Sequence, residues 1–220
     1  MKSSERFSRD LSALMSRLTK EVNIKVENKL NLLKDRLIKL QKENIVKINH
    51  SVMELVCAKH LVLNDYEVQI EYPLNEILTC DLFSSKGLGN LVVEIETGFI
   101  PPDQALFPLT YISARLASKI IRYSSFAGKF ALGMPPHYIL PLPQALAKPP
   151  RRRTEKEITQ IKKLCDRYYR NPPVTKDEIW NAKLHEIYLI DVDRTRVQEI
   201  DPETYVNRVY DKGLAFNHNL

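Results

Sequence analysis

Between Leu78 and Gly98 the chain reads LTCDLFSSKGLGNLVVEIETG, and this stretch limits the possible folds more than any other. Its arms carry β-branched and aromatic residues, and SSKGLGN between them supplies glycines and polar side chains for a reversal, so the pattern predicts a β-hairpin. Alternation along the second arm sends Leu91, Val93 and Ile95 to one face and Val92, Glu94 and Glu96 to the other. Two acids spaced this way stand roughly 7 Å apart, and Asp81 adds a third from the adjoining strand. Such a cluster repels itself unless something positive lies within it. A hard cation that takes oxygen ligands, Mg²⁺ or Mn²⁺, suits it. The plainer reading is the solvated face of an antiparallel hairpin.

Upstream, Phe7 to about Asn44 contains neither proline nor glycine. Leu11, Met15, Leu18, Val22, Val26, Leu30, Leu33, Leu37 and Leu40 recur in steps of four and three, with a second four-step between Val22 and Val26 that makes a stutter. The spacing predicts one long, coiled-coil-like helix with a narrow apolar seam, residues 1–44, joining copies of the chain into a homodimer or homotetramer. The alternative is a helix lying on its own domain. A second helix is predicted from Val46 to Leu63, and in it Glu54 is followed at helical spacing by Cys57, Ala58 and Leu61. An acid on such a stripe is either partly buried, and then in need of a partner, or at its edge reaching solvent.

YEVQIEYP next reads as a strand. After the hairpin, Pro101 and Pro102 open a predicted helix that runs to about Ser125, with Leu106, Leu109, Ile112, Leu116 and Ile120 on its buried face and Arg115, Lys119 and Arg122 on a basic one. GKFALGMP reads as a short strand, and prolines then break the pattern. The region 144–220 reads as a basic helical segment, a proline-broken link, a short helix, the strand HEIYLIDVD and a last helix capped by Asp201. Within it Arg151, Arg152, Arg153, Lys162, Lys163, Arg167 and Arg170 form a candidate phosphate-contacting surface, with Tyr168 and Tyr169 as stacking groups; a solvated charged face is the alternative.

The net charge of +6 lies unevenly, with 10 Lys and Arg against 3 Asp and Glu in residues 148–176 but 6 against 9 in residues 49–147. An acidic centre with basic flanks suits a metal-dependent enzyme acting on a polyanion. No apolar run approaches the roughly 20 residues of a membrane span, and MKSSERFSRD lacks the apolar core of a signal peptide. An intracellular, cytoplasmic location with no membrane partner is expected. Cys57, Cys80 and Cys165 lack the pairing or spacing of a disulfide framework or zinc ribbon and read as buried apolar residues.

The order of predicted elements, a helix with Glu54, a strand, a strand with Asp81, a strand with Glu94-x-Glu96, a helix and a strand, resembles the αβββαβ core of the PD-(D/E)XK nuclease superfamily over about residues 45–135, within a nuclease-like domain expected at residues 45–143. Its compact layout is most similar to archaeal Holliday junction resolvases and to nucleases of crenarchaeal viruses, whose location would be the host cytoplasm. The resemblance implies an α/β, restriction-endonuclease-like fold, a central mixed sheet flanked by helices. It implies a metal held by Asp81, Glu94, the Ile95 carbonyl and Glu54, and a Mg²⁺- or Mn²⁺-dependent nuclease cutting DNA, an endonuclease with a preference for junctions or other branched structures. Glu96 stands where that family carries lysine, and Cys80 where it carries proline. By the same resemblance Glu96 would orient or deprotonate the attacking water, and Lys119 would supply a migrated cation. The departure at Glu96 leaves a second expectation, a DNA-binding or assembly protein that keeps the fold without catalysis. A third, a coiled-coil scaffold with an unrelated α/β head, requires the acids to be solvated.

Overall fold

A computed structural model describes residues 3–211. Eight α-helices and six strands lie in it in the order α1 (Ser3–Leu18), α2 (Ile24–Lys42), α3 (Ile48–Leu63), β1 (Glu67–Pro73), β2 (Thr79–Lys86), β3 (Gly89–Ile95), α4 (Pro108–Tyr123), β4 (Lys129–Met134), α5 (Gln144–Ala147), α6 (Glu155–Tyr168), α7 (Lys176–Asn181), β5 (Glu186–Asp191), β6 (Arg196–Ile200) and α8 (Pro202–Asp211). The strands form one mixed sheet in the order β1-β2-β3-β4-β5-β6. β1–β2, β2–β3 and β5–β6 are antiparallel, whereas β3–β4 and β4–β5 are parallel. The chain is therefore α/β, with helices covering both faces of a six-stranded sheet.

The two faces hold separate cores. One packs α1, α2 and α3 against Ile70, Leu82, Leu91, Val93, Ile95 and Ile190. The other packs α4, α6 and α8 against Val92, Phe130, Leu132 and Ile187. The alternation expected in the hairpin is thus kept, and because both faces are covered β3 is buried on each of them. Gly133, at the end of β4, lets β3 and β5 crowd against it: a Cβ there would lie 2.8 Å from the Ile190 side chain and 3.2 Å from that of Ile95.

Residues 3–44 correct the sequence reading. They form two helices, not one, and the break falls at the stutter, residues 19–23. Asn23 caps α2 by accepting a hydrogen bond from Val26 N at 3.0 Å. The seam residues Leu11, Met15, Leu18, Val26, Leu30, Leu33 and Leu37 are buried in the core shared with α3 and the sheet. A reversal lets both halves of a narrow stripe cover the same sheet face, which one straight helix of that length would overshoot. The seam expected to join copies of the chain is therefore occupied within the chain.

Two further differences lie downstream. Pro101 and Pro102 begin only a single 3₁₀ turn, Pro102–Gln104, and α4 starts at Pro108, leaving Leu106 87% exposed instead of buried. The strand expected over HEIYLIDVD is β5, but β6 follows it, and the pair extends the same sheet as the hairpin. Asp201 caps α8 as expected, accepting from Thr204 N at 2.9 Å. All three cysteines are free and buried. Among the described residues no helix is long and apolar enough to cross a membrane.

Candidate metal centre

The β2–β3 ladder runs from Lys86↔Gly89 to Leu82↔Val93 and stops there. One step on, the side chains of Asp81 and Glu94 take over the hydrogen bonds that the backbones no longer make to each other. Asp81 N–H donates to Glu94 Oε1 at 3.1 Å, and Ile95 N–H donates to Asp81 Oδ2 at 2.5 Å. On the other side of β2, the β1 register passes from Ile70↔Leu82 to Tyr72↔Cys80 and skips Glu71, whose φ of +45° places it in the left-handed region. The sheet thus opens at Asp81, at the carboxyl end of the parallel strand β3, where open α/β sheets place their ligands.

Into this opening comes Lys119 from α4. Its Nζ lies 3.0 Å from Glu94 Oε2, 3.8 Å from Asp81 Oδ2 and 2.9 Å from the Ile95 carbonyl oxygen, to which it donates. From α3 come Glu54 and, one turn earlier, His50, whose Nδ1 is 3.9 Å from Asp81 Oδ1, too far for a hydrogen bond but close enough for charge to be felt. Donor atoms of His50, Glu54 and Asp81 all lie within 4.8 Å of one another.

Glu54 is fully buried and neither of its carboxylate oxygens has a hydrogen-bond partner. A buried polar group without a partner is costly, so this carboxyl calls for a proton or a cation. Burial, reinforced by the charges of Asp81, Glu71 and Glu94, holds it well above the usual carboxylate range. Burial and Asp81 push Glu94 up to about 8, and burial and Asp81 likewise bring Glu71 to about 7. Asp81 goes the other way. Burial opposes its charge, but Lys119, His50 and the Ile95 N–H outweigh that cost and hold it below its ordinary value. Lys119 is raised, because Glu94, Asp81 and Glu96 more than offset its own burial. A cluster of like charges favours protons on some of its acids, and a divalent cation bound among them would compete with those protons. The donor set of carboxylates, a backbone carbonyl and one imidazole fits a hard divalent cation, with the nitrogen favouring Mn²⁺.

The structure brings together Glu54, Asp81, Glu94, the Ile95 carbonyl and Lys119, all expected from the sequence. Glu96 is buried beside them but engaged elsewhere: Arg115 Nη2 is 2.5 Å from its Oε1, and Gly98 N–H, turned inward by a φ of +77°, donates to the same oxygen at 2.8 Å. The acids are not solvated, which removes the ground for the scaffold reading. His50 and Glu71 escaped sequence reading. His50 sits four residues before Glu54, a spacing that signals a shared helix face, whereas nothing in YEVQIEYP distinguishes Glu71 from Glu67.

Of the basic residues expected to meet phosphates, Arg153 must be withdrawn. Its guanidinium is buried and donates to the backbone carbonyls of Ala145, Leu146, Lys148, Ile179 and Trp180, which ties α5 to α7. Arg152 is ion-paired with Glu203 and Lys162 with Asp166. Arg151, Lys163, Arg167 and Arg170 are exposed. Comparison with protein-family models, with curated proteins and with solved structures finds no match for this chain.

Proposed function

We propose that this chain is a metal-dependent DNA nuclease whose centre is assembled as in the PD-(D/E)XK superfamily. The observation that carries the reading is the Glu54 carboxyl, fully buried with two unpartnered oxygens beside Asp81. The element order of α3, β1, β2, β3, α4 and β4 supports it, as does the gathering of Asp81, Glu94 and the Ile95 carbonyl where β2 and β3 part.

Glu54, Asp81, Glu94 and the Ile95 carbonyl, with His50 at the margin, would hold Mg²⁺ or Mn²⁺. Bound there, the ion supplies Lewis acidity to a phosphate oxygen and acidity to a water ligand. The remaining chemistry belongs to side chains. Lys119 carries the positive charge that the family places two residues after Glu94, and its ammonium, freed from Glu94 by a cation, would donate to a non-bridging phosphate oxygen as charge develops there. Glu96 anchors Arg115 at the rim through Oε1, and its Oε2 would be the oxygen left to orient or deprotonate the attacking water.

A second reading, a protein that binds DNA without cutting it, is favoured by Lys119: in the cluster as it stands the ammonium already compensates Asp81 and Glu94. Labelled single strand, duplex, flap and four-way junction incubated with Mg²⁺ or Mn²⁺ decide between them. The nuclease reading expects metal-dependent cutting that Asp81→Ala and Glu94→Ala both abolish, and Mn²⁺ bound at about one or two per chain. Shifted bands, no products and no bound Mn²⁺ would establish the second reading instead.

A further inference from the structure

Beside the metal centre, between α4 and the end of α6, lies a cleft of about 610 Å³. That volume is within the roughly 300–1,000 Å³ of small-ligand sites. Arg115, Lys119 and Arg122, at positions i, i+4 and i+7 of α4, form one wall; Arg167 and Arg170 come from the end of α6 and the link that follows. Among the described residues no acidic one lines it. Arg115 and Lys119 are neutralised by Glu96 and by Glu94 and Asp81. Arg122, Arg167 and Arg170 have no carboxylate within 4.0 Å among the described residues, Arg122 and Arg170 donating only to the backbone carbonyls of Pro172 and Asp166. The cleft therefore carries the uncompensated positive charge of Arg122, Arg167 and Arg170, and the ion-paired Lys119 is the side chain it shares with the acid cluster.

Its other lining is aromatic. Tyr123, Tyr168 and Tyr169 face the space, and Tyr168 is held edge-on to Tyr111 at 5.5 Å between ring centroids. Arginines without counter-charges alternating with tyrosines match a polyanion whose bases are free to stack. A duplex keeps its bases stacked inside and is far too wide for a space of this volume, whereas an unpaired strand offers both phosphates and ring faces.

We propose that this cleft binds single-stranded nucleic acid, phosphates on Arg122, Arg167 and Arg170 and a base against Tyr168, and so leads an unpaired strand to the metal centre. The substrate class is then DNA with an unpaired segment, a flap, a fork or a free end. The direction toward Lys119 rests on the nuclease reading; the binding itself does not.

Fluorescence anisotropy of the full chain in EDTA, with a labelled oligothymidylate of about a dozen nucleotides and a blunt duplex of the same length, tests it without any chemistry. The single strand should bind at least about tenfold more tightly. Arg167→Ala/Arg170→Ala should weaken single-strand binding about tenfold or more and lower the slope of log K against log salt by about 1.4, the value for two phosphate contacts. Tyr168→Ala should weaken it roughly fivefold or more while Tyr168→Phe does not, which separates stacking from hydroxyl contacts. Equal affinity for strand and duplex, or single-strand binding untouched by the double arginine variant, would overturn the cleft. Cutting of duplex with no strand preference would remove the cleft and keep the nuclease; strand binding that passes these tests with no cutting in Mg²⁺ or Mn²⁺ would keep the cleft and remove the nuclease.

Discussion

Glu94 and Glu54 are buried where a carboxylate charge is poorly solvated. A carboxyl held at about 8 against an ordinary 4.5 binds its proton more tightly folded than unfolded. Its contribution to stability is thus complete below about pH 4.5 and is lost as the pH rises through about 8. Without divalent metal, the melting temperature should therefore fall between about pH 5.5 and about pH 8.5, and Glu94→Gln, which needs no proton, should narrow that fall. On the proposed reading, a metal ion bound among these acids would change the balance by taking the place of the protons. Mn²⁺ should raise the melting temperature more at about pH 8.5 than at about pH 5.5, and calorimetry in buffers of different ionisation enthalpy should register proton release. Asp81→Ala should abolish the Mn²⁺ shift. A shift of equal size in that variant would place the ion elsewhere.

At the level of elements, α1 and α2 owe their position to one apolar stripe folded back on itself. Leu30 is fully buried in the core that α2 shares with α3 and the sheet. Leu30→Ala should cost about 2–5 kcal/mol, read as a lower urea midpoint with an unchanged slope. Removal of residues 1–44 should uncover this core face, giving aggregation or a loss of the cooperative transition in place of a clean change of oligomeric mass. A truncated chain that melts cooperatively as a smaller oligomer would restore the helix as a device for joining subunits. In contrast to these two helices, the strands of the hairpin stop pairing at Asp81 because two of their side chains fill the ladder. Disruption there should be local: Asp81→Ala removes the acceptor of the Ile95 N–H, at a cost of about 1–3 kcal/mol for a donor left unsatisfied.

Over the whole molecule, residues 45–143 are not free-standing. β5 pairs in parallel with β4, and Ile187, Tyr188 and Ile190 on β5 contribute to the cores of both sheet faces. A chain limited to residues 45–143 should therefore show no cooperative thermal transition by circular dichroism, whereas the full chain should. Several features were legible from order along the chain. The hairpin and its alternation, the helices carrying Glu54 and Lys119, and the capping Asp201 all follow from local periodicity and turn chemistry, which act over a few residues. The stutter between Val22 and Val26 was visible too, but whether it bends a supercoil or breaks a helix depends on what the seam can bury, and that surface comes from α3 and from strands that begin only at Glu67. The same holds at the candidate metal centre. That Asp81, Glu94 and Glu96 share a neighbourhood could be read from spacing. That Glu96 turns to Arg115, that Arg153 is buried among carbonyls, and that His50 and Glu71 join the acids were decided by packing between distant elements. Residue type and period determine which groups a strand or helix presents, but only the assembled sheet and its flanking helices determine which of them meet water, which meet one another, and which lie buried without a partner.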